Sequence, residues 1–231
     1  MRRIGVLGGA FDPPHLAHIS LGQAALAQLK LDVLVVVPTG QTLRKSHALS
    51  AAHHRLGMTR LAFAGDKRVR VDECEIQRSS LSYTIDTLHH LSAEMGPAHF
   101  FLIIGEDQAS SFTTWHKWQE ILEMSTLAVA HRSLDPAPQS LDSGLLGGAC
   151  ATPALELTQY QWHNWATHQR AQHSAGDVQR EIAVQLLMPS MALSATHIRH
   201  CIQNGSDISG CVTPSVMSYI QSHSLYTDKA T

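Results

Sequence analysis

The feature that most constrains this chain is its opening: an apolar run, Ile4-Gly5-Val6-Leu7, leads straight into Gly8-Gly9-Ala10-Phe11-Asp12-Pro13-Pro14-His15-Leu16-Ala17-His18. The first run reads as a buried strand, and Ile19 to Leu29 has helical spacing and no Pro. A strand, a Gly-rich turn and a helix in that order form a cradle for phosphate. Glycine lets backbone approach closely, and the helix start offers unpaired N–H groups at a positive dipole end. His15 and His18 are three residues apart and so share one side of the helix start, where imidazole can donate to phosphate oxygens; Asp12 is the one nearby competitor. The Gly pair taken by itself also fits an ordinary tight turn followed by two surface histidines.

Downstream, apolar runs alternate with helical patterns. Asp32 to Val37 is a β-branched run closed by Pro38, and Thr39 to Ala48 is a polar loop carrying Arg44 and Lys45. Ser50 reads as the N-cap of a helix through Ala64. Val69 to Val71 is a short strand, Asp72 to Leu81 a charged connection, and Thr84 to Glu94 a helix with Ile85, Leu88 and Leu91 at core spacing. His99 to Ile104 is a strand ended by Gly105-Glu106-Asp107. Trp115 to Met124 reads as a helix, and Leu127 to Ala130 and Ile182 to Met188 as the remaining strands.

This alternation predicts an α/β chain with a doubly wound parallel sheet, whose ligands bind beyond the carboxyl ends of the strands. The Gly8-Gly9 turn, the Thr39 loop and the Gly105 turn all fall at such ends. Helices at Ala195–Gln203 and Pro214–Ser222 form a small C-terminal helical part, with Pro214 at a helix start. Between about 133 and 180 the pattern dissolves into Pro136, Pro138, Gly144, Gly147 and Gly148, an irregular insertion within one domain spanning 1–231; Leu155 to Gln172 reads as a helix inside it.

Composition excludes several function classes. With 44% hydrophobic and 16% charged residues the chain is globular, and a net charge of −2 gives no general pull on nucleic acid. No apolar segment of signal length precedes the Gly-Gly turn, and no uninterrupted run is long enough to span a membrane. The four cysteines are scattered, without a C-x-x-C pair, as free thiols in a reducing cytoplasm are. Sixteen histidines invite a metal, yet none combines with Cys or Glu at a zinc-type spacing, so no protein metal site is expected.

Far along the chain lies Leu193-Ser194-Ala195-Thr196-His197-Ile198-Arg199. Ser194 reads as an N-cap whose helix start faces an anion, Thr196 adds a hydroxyl, and Arg199 adds a forked permanent cation suited to phosphate. Alone, this string also fits a capped surface helix with a solvated Arg.

Together the two strings resemble a known family. The first resembles the G-G-x-F-x-P-x-H-x-x-H signature of the nucleotidyltransferase superfamily, with Ala17 where other branches carry Gly. The second resembles I-S-x-T-x-I-R, which marks the nicotinate and nicotinamide mononucleotide adenylyltransferases, with Leu193 for the usual Ile. Ser82-Tyr83-Thr84, Ile103-Ile104-Gly105-Glu106-Asp107 and Thr114-Trp115 look like the bacterial nicotinate branch, in that order.

The resemblance implies a Rossmann-like nucleotidyltransferase fold and transfer of the adenylyl group of ATP to nicotinate mononucleotide. It implies that Gly8, Gly9, Phe11, His15, His18, Ser194, Thr196 and Arg199 hold ATP, with Asp107 on the adenosine side. His15, His18, Lys45 and Arg199 would compensate charge during transfer, and Thr39, Tyr83, Thr84 and Trp115 would form the pyridine pocket. The chain departs from the usual P-x-x-x-P-H-[KR] loop, carrying Thr39 where many relatives have Asn and Arg44 where they have His. The chain offers no acidic cage, so Mg²⁺ is expected to arrive on the ATP phosphates. Two other readings stay open at the level of sequence: a superfamily enzyme with another acceptor, such as nicotinamide mononucleotide or phosphopantetheine, and a catalytically silent nucleotide-binding protein. A class I aminoacyl-tRNA synthetase is excluded by length, by the lack of a K-M-S-K-S-like string and by charge.

Overall fold

The computed structural model describes residues 1–41, 49–133, 183–189 and 191–227. The expected insertion, its helix at Leu155–Gln172, and both Arg44 and Lys45 lie outside the described residues. Six strands form one parallel sheet: β1 (Arg2–Gly9), β2 (Val33–Pro38), β3 (Val69–Val71), β4 (Ala98–Gly105), β5 (Ser125–Ser133) and β6 (Ala183–Pro189). Their order is β3-β2-β1-β4-β5-β6, so the chain reverses direction of travel across the sheet between β1 and β4. That is the switch point where an open parallel sheet leaves a crevice. Every expected strand is present: β1, β4 and β5 extend beyond their apolar runs, β3 keeps its bounds, and β2 and β6 are each shifted by one residue.

Period-2 alternation divides the side chains between two cores. Leu7, Leu34, Val36, Phe101, Ile103 and Ala128 face one side, whereas Ile4, Val6, Val35, Val37, Phe100, Leu102 and Leu127 face the other. Burial on both faces is why the strands read as continuous apolar runs rather than alternating ones. The first core is covered by α1 (Leu16–Gln28), α2 (Ala52–Ala62) and two helices near the C-terminus, through Leu21, Ala25, Met58, Ile198, Val216 and Ile220. The second is covered by the short α3 (Cys74–Gln77), α4 (Thr84–Met95) and α6 (Trp118–Met124), through Cys74, Ile85, Leu88, Leu91, Ile121 and Leu122. A single turn, α5 (Glu106–Ala109), follows β4; α7 (Ala195–Gln203) and α8 (Pro214–Ser222) are the expected C-terminal helices.

Several local expectations are corrected. α1 begins at Leu16 rather than Ile19, which places His15 itself at the N-cap. Ser50 does not cap α2: its amide and carbonyl are engaged by Asp12 and Arg55, Ala51 holds the cap position, and the helix ends at Ala62 rather than Ala64. Trp115 is not the start of α6. It closes a 3₁₀ turn over Phe112–Thr114, and Lys117 in left-handed backbone (φ 52°) separates that turn from the helix at Trp118. The connection from Asp72 to Leu81 contains α3. Among the described residues no helix is long and apolar enough to cross a membrane.

Candidate active site

The site is assembled at the carboxyl end of β1, beside the switch point. Gly8 and Gly9 end the strand, and a Cβ on Gly9 would press into the Phe11 ring at 3.0 Å, whereas one on Gly8 would meet nothing within 4 Å. Gly9 therefore lets Phe11 fold back beneath the turn, and Gly8 leaves the strand end open. Phe11 accepts left-handed backbone (φ 49°), which for a non-glycine residue costs on the order of 1–3 kcal/mol. Its ring is fully buried and meets His18 and Phe63 edge-on, and this packing holds the conformation in place. The Asp12–Pro13 peptide bond is cis.

The two histidines of the motif lie face to face, with ring centroids 3.7 Å apart. The His15 backbone N–H donates to His18 Nδ1 at 3.2 Å. Nδ1 being the acceptor, the ring proton of neutral His18 sits on Nε2. The start of α1 is less open than the sequence suggests: the Leu16 N–H donates to the Cys211 carbonyl at 2.9 Å.

The second motif meets the first here. Ser194 caps α7, its hydroxyl accepting from the His197 N–H at 3.2 Å, so the amides of Ala195 and Thr196 are left without an intrahelical acceptor. Arg199 reaches across to donate to the Asp12 carbonyl at 2.7 Å and to the Thr196 hydroxyl at 3.3 Å. Two strings remote in sequence thus share one cluster of donors. Asp107 stands apart: it is exposed in the first turn of α5, and its carbonyl accepts from the Ser110 hydroxyl.

Beside the same glycine turn lies a cavity of about 700 Å³. Gly8 and Gly9 form part of its wall, and Thr39, Tyr83, Thr84 and Trp115 all line it. Thr39 is held by its own N–H, which donates to the Gly9 carbonyl at 2.8 Å. Tyr83 is the N-cap of α4, so the amide of Thr84, which lines the cavity, stands in the first turn of that helix without an intrahelical acceptor.

Several residues of the site were given no part in building it by the sequence. Asp12, expected only to compete for an anion, is 3% exposed and fully engaged: Tyr226 donates its hydroxyl to Oδ1 at 2.6 Å and the Ser50 N–H donates to Oδ2 at 3.1 Å. Arg55, 2% exposed, donates to the carbonyls of Ala10 and Ser50, both at 3.0 Å. Burial draws its pKa down, and the charges of Asp12 and Tyr226 partly offset that. On the cavity side, Glu75 is buried, which raises its pKa, while the hydrogen bond from the Thr87 hydroxyl opposes the rise. His116 also lines the cavity, its ring 4.4 Å from that of Tyr83.

Among the described residues one trio, Asp72, Cys74 and His90, has ligand atoms within 4.8 Å of one another. It suits a cation poorly. Arg70 already pairs with Asp72 at 2.6 Å, and burial with the nearby Asp72 carboxylate pushes the Cys74 thiol up to about 12.

Residues 6–200 match the family described as cytidylyltransferase-like. Over 226 residues the chain is 42% identical to a probable nicotinate-nucleotide adenylyltransferase of Albidiferax ferrireducens, spanning 98% of each chain. It is 35% identical over 226 residues to one of Bordetella petrii, spanning 98% of this chain and 100% of that one. Its fold is similar to that of the Plasmodium falciparum nicotinic acid mononucleotide adenylyltransferase solved in complex with NaAD, with a TM-score of 0.68 at 15% identity over 100% of both chains.

Proposed function

The chain belongs to the cytidylyltransferase-like family and, within it, to the nicotinate-nucleotide adenylyltransferases, and from that membership we infer how its site works. The enzyme transfers the adenylyl group of ATP to nicotinate mononucleotide, giving nicotinate adenine dinucleotide and pyrophosphate. The observation that carries our assignment of residues is the meeting of the two distant motifs: Arg199 rests on the Asp12 carbonyl beside the stacked His15–His18 pair.

We assign ATP to this cluster, with its phosphates among Gly8, Gly9, His15, His18, Ser194, Thr196 and Arg199, and with Lys45 joining from the loop after β2. Phe11 supports the turn from beneath. Asp107 borders the adenosine. The pyridine nucleotide takes the adjoining cavity, among Thr39, Tyr83, Thr84 and Trp115. There the open start of α4 favours a carboxylate over a neutral carboxamide, and Trp115 offers the ring a stacking face.

The nucleophile is the 5′-phosphate of the acceptor, already an anion, so no general base is needed and no covalent enzyme intermediate forms. Its attack on the α-phosphorus is in line and expels pyrophosphate. The protein contributes orientation, worth effective molarities of up to about 10⁵–10⁸ M, and donors that offset charge on the departing phosphates. His18 Nε2 and the Arg199 guanidinium supply those donors. Mg²⁺, carried in on the ATP phosphates, supplies further charge neutralisation when bound. Both Asp12 carboxylate oxygens are occupied by Tyr226 and Ser50, which suits an ion held by phosphate and water rather than by this turn. The enzyme acts as a single cytoplasmic domain in this reading.

Pyrophosphate release from ATP, measured against a panel of acceptor phosphates, tests the assignment. The kcat/KM for nicotinate mononucleotide is expected to exceed that for the nicotinamide form by at least about 10²-fold, roughly 3 kcal/mol. Comparable efficiencies would overturn acid selectivity at the α4 start. Absence of release with both would overturn adenylyl transfer.

A further inference from the structure

The C-terminal turn is tied to the phosphate-binding turn more tightly than packing alone requires. Tyr226 lies 214 positions beyond Asp12, yet its hydroxyl donates to Asp12 Oδ1 at 2.6 Å. The other Asp12 oxygen accepts from Ser50, and the Asp12 carbonyl accepts from Arg199. Arg55 lies alongside, fixing the carbonyls of Ala10 and Ser50. A second tie joins the same regions, since the Cys211 carbonyl accepts from the Leu16 N–H, the first amide of α1.

Holding Tyr226 in place has a cost. Ser224 (φ 48°) and Tyr226 (φ 64°) both take left-handed backbone, which residues with a side chain rarely adopt, and the Leu225 and Tyr226 side chains pack on the core to sustain it. Burial and the neighbouring Asp12 carboxylate drive the phenol pKa upward, so the hydroxyl remains a donor throughout the working pH range. The Asp12 side chain is thereby committed to the protein. It cannot turn toward the phosphates, where a carboxylate would repel them.

We propose that Tyr226 is a positioning residue for adenylyl transfer: by holding Asp12 it sets the backbone carbonyl on which Arg199 rests and the turn that presents His15 and His18. The proposal rests on the transfer reading given above. In chemical terms the C-terminal turn completes the site without touching substrate. Loss of the phenol hydroxyl releases a buried carboxylate oxygen, which then draws on Arg199 or faces the phosphates. Both outcomes act on the transfer step and leave the pyridine cavity alone, because no Tyr226 contact lines that cavity.

The test is Tyr226→Phe, which keeps the ring and removes the hydroxyl, with Asp12→Asn as a second variant. Turnover is measured with ATP and nicotinate mononucleotide, alongside thermal unfolding and titration with a non-hydrolysable ATP analogue. Tyr226→Phe is expected to lower kcat about 10-fold, with the KM for the pyridine nucleotide within about twofold of wild type and the unfolding temperature lowered by only about a few degrees, as loss of one donor to a buried carboxylate entails. Combining it with Asp12→Asn should add far less than the sum of the two effects, since both act through one contact. Wild-type kcat in Tyr226→Phe, additive losses, or losses in kcat and KM together with stability would each overturn the proposal. Inactivity of the wild-type enzyme with every acceptor would instead overturn the transfer reading.

Discussion

His18 shows how much of this site is set by single contacts. Its Nδ1 accepts from the His15 amide, its face lies on the His15 ring, and its edge meets the buried Phe11. These contacts fix the ring's tautomer and orientation before any ligand arrives, which is what a donor needs to act on a transition state without reorganising. His18→Ala is therefore expected to lower kcat by about 10²–10³-fold, the range for loss of one such donor, with thermal unfolding little altered. Steady-state turnover beside a melting curve checks this, and near-wild-type turnover would show the ring to be structural. Asp12 carries the opposite lesson. From sequence it is one more acid beside a phosphate turn, and only its neighbours reveal that it faces inward.

The decisive elements on the cavity side are the ends of β2 and α3. Gln41 bridges Leu81 in parallel, and the Ser82 N–H donates to the Gln41 carbonyl at 2.9 Å, so the segment after β2 is stitched to the entry of α4. Glu75 lies beneath the seam, accepting from Thr87 at 2.8 Å. Gly40 sits so close that a Cβ there would overlap the Glu75 carbonyl oxygen, a backbone atom unable to swing aside. Gly40→Ala must displace one side of the seam. The expected result is a KM for nicotinate mononucleotide raised about 10-fold, a KM for ATP nearly unchanged, and stability lowered by about 1–3 kcal/mol, the usual expense of overpacking. Kinetics with each substrate varied in turn, together with chemical denaturation, would measure both; an unchanged KM would show that the seam does not shape the pocket.

For the whole molecule, two buried carboxylates pull stability in opposite directions with pH. Burial raises the folded-state pKa of Glu75, so the folded protein holds that proton more tightly than the unfolded chain. Its contribution is fully present below the ordinary glutamate pKa and is lost as pH rises through the folded value. Burial opposes ionisation of Asp72 as well, but the Cys74 amide and thiol with Arg70 outweigh it and leave its pKa lowered. The Asp72 contribution is therefore present above the ordinary aspartate pKa and is lost as pH falls through the folded value. Glu75→Gln is expected to remove the decline on the alkaline side while sparing the acid limb. Unfolding temperatures recorded from about pH 4 to 8 would show it, and parallel profiles for the two proteins would contradict the assignment.

The strand–turn–helix opening, the alternation of elements and the two motifs were legible in the sequence because each depends on spacing between near neighbours. Buried parallel strands announce themselves as apolar runs, and Ser194 caps its helix through a residue three positions away. The Ser50 cap and the helix start at Trp115 misled because those residues had long-range or backbone commitments that outweighed local preference. What only the tertiary structure decided were contacts between remote segments: Tyr226 on Asp12, Arg55 under Ala10, Arg199 on the Asp12 carbonyl, and Glu75 beneath the pocket. Each places a charged or polar group in a buried setting, where its partners rather than its identity determine whether burial is tolerated. Those partners are brought together by sheet order and helix packing, so local sequence pattern names the chemistry of this site while the fold determines which groups are free to perform it.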